Sequence, residues 1–170
     1  MIPIVDSTCL IYLARAGKLS LLGAVYRRVA TPQAVFREVV SKGKEKGFID
    51  AEVIEKAVKE GLIEVRALSK AQLNEAERLC ALAEIGRGEA EAIILAKSGG
   101  SPLVVDDSKA LGVAEMYGIE TLRTTSLILR AVSQGIITKR DAKEMIEKFV
   151  STGYRLRGDV LLELLRELGY

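Results

Sequence analysis

The chain has 170 residues, of which 49% are hydrophobic and 28% charged, with a formal net charge of +2. That length suits one ordinary domain with a sizeable core, and the near-neutral balance excludes a strongly basic nucleic-acid-binding tail while leaving room for a local basic patch. Histidine is absent, which excludes Ser-His-Asp hydrolysis, Cys-His chemistry and a histidine general base and leaves carboxylates, lysines or hard metal ions to carry any hydrolysis.

Ile2-Pro3-Ile4-Val5 reads as a short buried strand, and Ser7 or Thr8 as the cap of a helix over Cys9 to Ala14. Asp6 comes too early for a signal peptide, and no apolar run approaches the ~18 residues of a membrane span, so the chain is expected in the cytoplasm. A second helix covers Leu19 to Tyr26, and Arg28-Val29-Ala30 is a short strand. Thr31-Pro32 reads as an N-cap followed by a first-position proline, opening a helix from Pro32 to about Ser41. Lys42 to Gly47 reads as a charged, glycine-punctuated loop. A helix over Ala51 to Lys59 follows, then a strand at Leu62 to Val65. Ser69 opens a long helix ending near Gly86, and Gly88 precedes a helix from Glu89 to Lys97. Pro102 to Val105 is a fully apolar strand ending at Asp106-Asp107; a helix runs from there to Tyr117-Gly118, and a short strand lies near Ile119 to Leu122. The remainder is helical over Ser126 to Gln134, Lys139 to Val150 and Val160 to Leu168. Short apolar strands alternating with helices predict an α/β fold with a parallel sheet covered on both faces. Residues 1–135 form the core of that reading, and 136–170 a helical C-terminal extension of the same domain. Cys9 and Cys80 fall in apolar helical patterns and are expected as buried thiols, too few to hold zinc without histidine.

The carboxylates carry the chemistry. Ligands of an open parallel sheet bind outside the carboxyl ends of its strands, where chain order reverses. Asp6 directly follows the first strand and Asp106 a later apolar one, so the two meet if those strands are neighbours. Like charges that close need a cation or shifted pKa values, and Mg²⁺ or Mn²⁺ suits oxygen ligands. Asp6 can equally be a helix cap. Glu38 falls on the border of the apolar stripe made by Val35, Phe36, Val39 and Val40, at about 100° per residue. Glu89 and Glu91 open a helix that is apolar on nearly all sides, so each needs a partner or a metal. Glu89 lies over Ala92, Ile93 and Ala96, whereas Glu91 points roughly the opposite way. One of Asp106 and Asp107 is expected to cap the next helix and leave the other free.

Four segments in this order and spacing resemble the PIN-domain nucleases, in particular archaeal and bacterial relatives of toxin type. They are Val5-Asp6-Ser7-Thr8-Cys9-Leu10-Ile11, Thr31 to Val39 around Glu38, Gly88-Glu89-Ala90-Glu91-Ala92-Ile93-Ile94-Leu95-Ala96, and Leu103-Val104-Val105-Asp106-Asp107. The resemblance spans roughly Ile2 to Ala131. It implies a metal-dependent endoribonuclease whose acidic pocket binds Mg²⁺ or Mn²⁺ through Asp6, Glu38, Glu89 and Asp106, with Glu91 and Asp107 as substitutes. The third acid departs from the commoner Asp. Ser7 and Thr8 match the hydroxyl residues that often follow the first acid and would contact substrate or water. The acids would act as ligands and positioners of water rather than nucleophiles. An RNA substrate and an antitoxin-like protein partner follow from the same resemblance.

Lys42, Lys44 and Lys46, and also Lys109, Arg123 and Arg130, are candidates for backbone phosphate contacts. Aromatics are 5% of the chain, so strong base stacking is not expected. The apolar residues of Val160 to Leu168 cover a stripe of roughly 200°, wider than the ~100° a surface helix needs, which predicts contact on two sides and a homodimer. A haloacid-dehalogenase-type phosphatase would require a second Asp where Thr8 stands, and a receiver domain would require its acidic pair after the first strand rather than late. The remaining alternative is a non-catalytic PIN-like domain that binds RNA or a protein.

Overall fold

The computed structural model describes residues 1–170. Five parallel strands form one sheet in the order β3-β2-β1-β4-β5: β1 (Ile4–Val5), β2 (Val29–Pro32), β3 (Ile63–Arg66), β4 (Leu103–Val104) and β5 (Thr121–Leu122). β1 is central. The chain winds outward through β2 and β3, then crosses back to β4 and β5 on the other side. Chain order therefore reverses between β1 and β4, and their carboxyl ends are where a ligand site is expected.

Alternation along these short strands divides the core in two. Val5, Val29 and Val104 face a large aliphatic and aromatic cluster, while Ile4, Ala30 and Leu103 face a smaller one rich in alanine. The large cluster is closed by α1 (Ser7–Arg15), α2 (Ser20–Tyr26), α5 (Ile49–Lys59), α9 (Thr124–Ser133), α10 (Lys139–Ser151) and α11 (Gly158–Leu168). The other face is covered by α6 (Lys70–Ala83), α7 (Arg87–Gly99) and α8 (Ser108–Met116). Ala90, Ala92 and Ala96 of α7 are all buried, and small side chains let this helix lie close on the strands. Ser69 caps α6 in a reciprocal capping box with Gln72.

Several local expectations differ. Thr31 and Pro32 belong to β2, and α3 (Gln33–Phe36) begins one residue later. The Thr31 hydroxyl donates to the Val5 carbonyl (2.9 Å) and so ties neighbouring strands together instead of capping. The helix expected to run on to Ser41 passes through a π turn, Arg37–Ser41. Lys42 to Gly47 is not an open loop, because Lys42–Glu45 forms a fourth helix, α4. Gly43 there serves close approach rather than a turn, since a Cβ on it would lie 2.8 Å from the Ala51 Cβ. Cys9 is buried, but Cys80 is only half-buried, its thiol donating to the Ile85 carbonyl (2.9 Å).

The C-terminal extension is integral to the large core. Met145, Ile146 and Phe149 of α10 and Leu164 and Leu168 of α11 are buried in it. The wide stripe of α11 thus finds its own domain on one side, leaving Leu162 as its large exposed apolar residue. No single helix is long and apolar enough to cross a membrane.

Candidate active site

β1 delivers Asp6 to the switch point in extended conformation (φ −82°, ψ 176°). Its Oδ1 accepts the Cys9 N–H at 3.0 Å, so Asp6 is itself the cap of α1. Ser7 and Thr8, expected to cap, lie inside the first turn instead. The two roles weighed for Asp6 are therefore compatible, because a carboxylate has about four lone-pair positions. Its Oδ2 accepts the Asp106 N–H at 3.3 Å, joining the ends of β1 and β4. Burial pushes the Asp6 carboxyl up, and the neighbouring Asp106 carboxylate adds to this, with Glu89 a smaller contributor. The Cys9 and Asp106 N–H groups oppose the rise, and the net value is about 8. Burial and then the same two aspartates hold the Cys9 thiol well above its usual range, so it stays protonated beneath the site.

Asp106 is held more tightly. Its Oδ1 accepts the Thr124 N–H (3.0 Å) and the Tyr154 hydroxyl (2.7 Å), and its Oδ2 accepts the Thr124 hydroxyl (2.5 Å). Arg123 donates to the Asp106 carbonyl (2.7 Å) and to the Ser108 hydroxyl (3.3 Å), fixing the turn between β4 and α8. Burial and the Asp106 carboxylate raise the Tyr154 phenol far above its usual value, so it remains a donor. Asp107 is exposed and caps α8 through the Ala110 N–H (2.8 Å). Of the adjacent pair it is Asp106 that meets Asp6.

The helix-borne glutamates divide in the same way. Glu91 is 1% exposed, and its oxygens accept the Ala34 N–H of α3 (3.1 Å) and the Arg87 guanidinium (2.9 Å). One oxygen thus joins α7 to α3, and the other is held within α7. Glu89 is half-buried, and burial raises its pKa, with Asp107 and Glu38 adding to the rise and the N–H groups of Glu89 and Gly86 opposing it. It folds back over Gly86, where any Cβ would overlap its Oε2. Glu38 is exposed in the π turn and leans on Gly88, with its Oε2 3.2 Å from where a Cβ would stand. Two clefts meet at Glu89. One, of about 480 Å³, includes Thr8, Asp106, Arg123 and Tyr154 in its walls. The other, of about 520 Å³, is lined by Glu38, Arg37, Lys42 and Arg87.

Asp6 and Asp106 are direct neighbours, but no three of the acids stand close enough to grip one ion together. Their chemistry nevertheless suits a hard divalent cation. Mg²⁺ in particular is commonly held by one or two carboxylates with waters completing its shell, and burial, with the Asp106 carboxylate beside it, disfavours charge on Asp6, which a bound cation would offset. Of the phosphate-contact candidates, Lys44 pairs with Glu55 (3.1 Å), exposed Lys109 with Glu84 (3.2 Å), and Arg130 reaches the Tyr26 hydroxyl (3.3 Å) and Glu120 (3.8 Å). Thr124 and Tyr154 were not picked out by the sequence reading. The available signals were a Thr-Thr pair one residue after a strand and a tyrosine between two amphipathic helices.

The PIN-domain family profile matches residues 2–170. A PilT N-terminus domain protein from the hyperthermophilic archaeon Sulfolobus solfataricus P2 is similar in structure, with TM-score 0.52 and 17% sequence identity, covering 75% of this chain and 90% of that one. At that identity the likeness concerns the fold alone. No curated protein matches the chain. With the profile spanning the core and the C-terminal extension together, the chain belongs to the PIN-domain family.

Proposed function

We propose that this PIN domain is a divalent-metal-dependent endoribonuclease. The observation that carries the reading is the meeting of Asp6 and Asp106 at the strand switch point, beside a cleft that Glu89 also lines. Asp6 and Asp106 would hold the ion, with Glu89 and Glu38 reaching it or its waters from the helix side. When bound, Mg²⁺ or Mn²⁺ supplies a more acidic water and offsets charge on the phosphate. The chain's own part is positional. Thr124 orients the Asp106 carboxylate, Arg123 holds the turn that carries it, and Thr8 lines the cleft. Arg155 and Arg157 edge the same cleft, and Arg37, Lys42 and Arg87 edge the other, so a polynucleotide backbone can meet cations on either side of the acids.

Incubating a mixed RNA pool with the full chain in Mn²⁺, Mg²⁺ or EDTA tests the reading. Internal cleavage that requires metal and disappears in Asp6→Asn supports it. RNA binding without cleavage would favour the non-catalytic reading, for which the open spacing of the acids is the specific argument. A toxin-type role with an antitoxin-like partner and a two-fold dimer belong to the same proposal, and light scattering of the full chain at micromolar concentration checks the dimer.

A further inference from the structure

Tyr154 lies 48 residues beyond Asp106, in the strap between α10 and α11. It is 7% exposed, and its ring is wedged among aromatics, edge-on to Tyr12 (centroids 4.9 Å) and tilted against Phe149 (5.5 Å). Gly153 makes the turn into the strap at φ +98°, a conformation that side chains other than glycine rarely adopt. The helix before it is anchored to α1 by Lys148, whose ammonium donates to the Ala16 carbonyl (3.2 Å), and by fully buried Phe149. The phenol is therefore placed from both sides, and its single polar atom ends on Asp106 Oδ1 at 2.7 Å.

We propose that Tyr154 is a positioning residue of the active site, fixing the Asp106 carboxylate for the metal so that the C-terminal extension completes the site. A carboxylate can rotate about χ2, and a donor on each oxygen removes that freedom. Thr124 engages both oxygens from α9, and Tyr154 adds a second donor to Oδ1 from the strap of the C-terminal extension. Oδ1 thus carries two donors and Oδ2 one, so the lone-pair position left for an ion is on Oδ2. Outer partners that orient metal ligands typically matter by about 10–100-fold in metal affinity or activity. The bland account is a core tyrosine whose hydroxyl merely found an acceptor. The two accounts differ in what happens when only the hydroxyl is removed.

This inference rests on the ribonuclease reading, and Tyr154→Phe in the full chain separates the two. The substitution keeps the ring and its contacts with Tyr12 and Phe149. Mn²⁺ affinity, read from free Mn²⁺ by electron paramagnetic resonance, and RNA cleavage are measured well below the melting transition. The expected result is about 10–100-fold weaker Mn²⁺ binding or slower turnover, with the KM for RNA unchanged. Wild-type Mn²⁺ affinity and turnover in Tyr154→Phe, with or without a lower Tm, overturn the positioning role and leave the ribonuclease reading standing. A wild-type chain that neither binds Mn²⁺ nor cuts RNA overturns both.

Discussion

Asp6 and Asp106 stand at the ends of paired strands, whereas Glu38 and Glu89 stand on helical turns, and the two pairs are held differently. The aspartates are fixed by donors: Asp6 by two backbone N–H groups, Asp106 by Thr124 and Tyr154. The glutamates are admitted by clearance, Glu89 over Gly86 and Glu38 against Gly88, with longer side chains and more exposure. A β-strand end carries a short carboxylate into the core edge with little freedom, while a helix rim offers a longer one that can shift. Rigid and adjustable carboxylates therefore stand side by side at this edge of the sheet.

The largest effect should come from the rigid side. Asp6→Asn is expected to bring metal-dependent cleavage below detection with the fold intact, because Asn keeps one acceptor for the Cys9 N–H. In EDTA at pH 8 its melting temperature should rise. The lost 3.3 Å bond to Asp106 is worth about 1 kcal/mol, less than the repulsion and burial that raise the wild-type carboxyl from 3.8 to about 8. Retained activity would remove Asp6 from the site.

A sharper test within α7 separates chemistry from architecture. Glu89→Gln should slow cleavage and leave the melting curve nearly unchanged. Glu91→Ala should instead destabilise by about 1–3 kcal/mol, because it leaves the part-buried Ala34 N–H without its acceptor. Urea denaturation and initial rates on both variants decide, and the reverse pattern would show that the wrong glutamate faces the site.

The remaining test is in pH. A folded Asp6 pKa above the unfolded value means that the native chain binds a proton the unfolded chain has released. Stability of the metal-free protein therefore falls as pH rises between 3.8 and about 8. Side-chain hydrogen bonds hold Glu55, Glu64, Asp141 and Asp159 low, and their contributions are already complete above the ordinary carboxylate range. The melting temperature in EDTA should thus decline from pH 5.5 to 8.5, and both Asp6→Asn and added Mn²⁺ should flatten the decline. A flat wild-type profile would mean that Asp6 ionises freely.

What the sequence disclosed follows the same division. Asp6 and Asp106 were legible because each ends an apolar run, a local pattern, but their meeting depended on β1 and β4 being neighbours, which no local pattern encodes. The alternation of strands and helices predicts the covered parallel sheet that is present. Lys42 to Gly47 misleads because Gly43 answers to Ala51, eight residues away, rather than to its own turn. Tyr154 was out of reach for a similar reason, since its partner lies 48 residues earlier and on another element.

The Asp106-to-Asp6 hydrogen bond spans 100 positions of chain. Contacts of such long separation are costly to close and tend to form late in folding. On a ribosome adding about 5–20 residues per second, β1, β2 and β3 are complete well before β4 exists. For those seconds Asp6 has only its helix cap, and the last donor to Asp106, Tyr154, is made 48 residues later still. A nascent chain therefore carries half an acidic site, which closes only after Tyr154 has emerged.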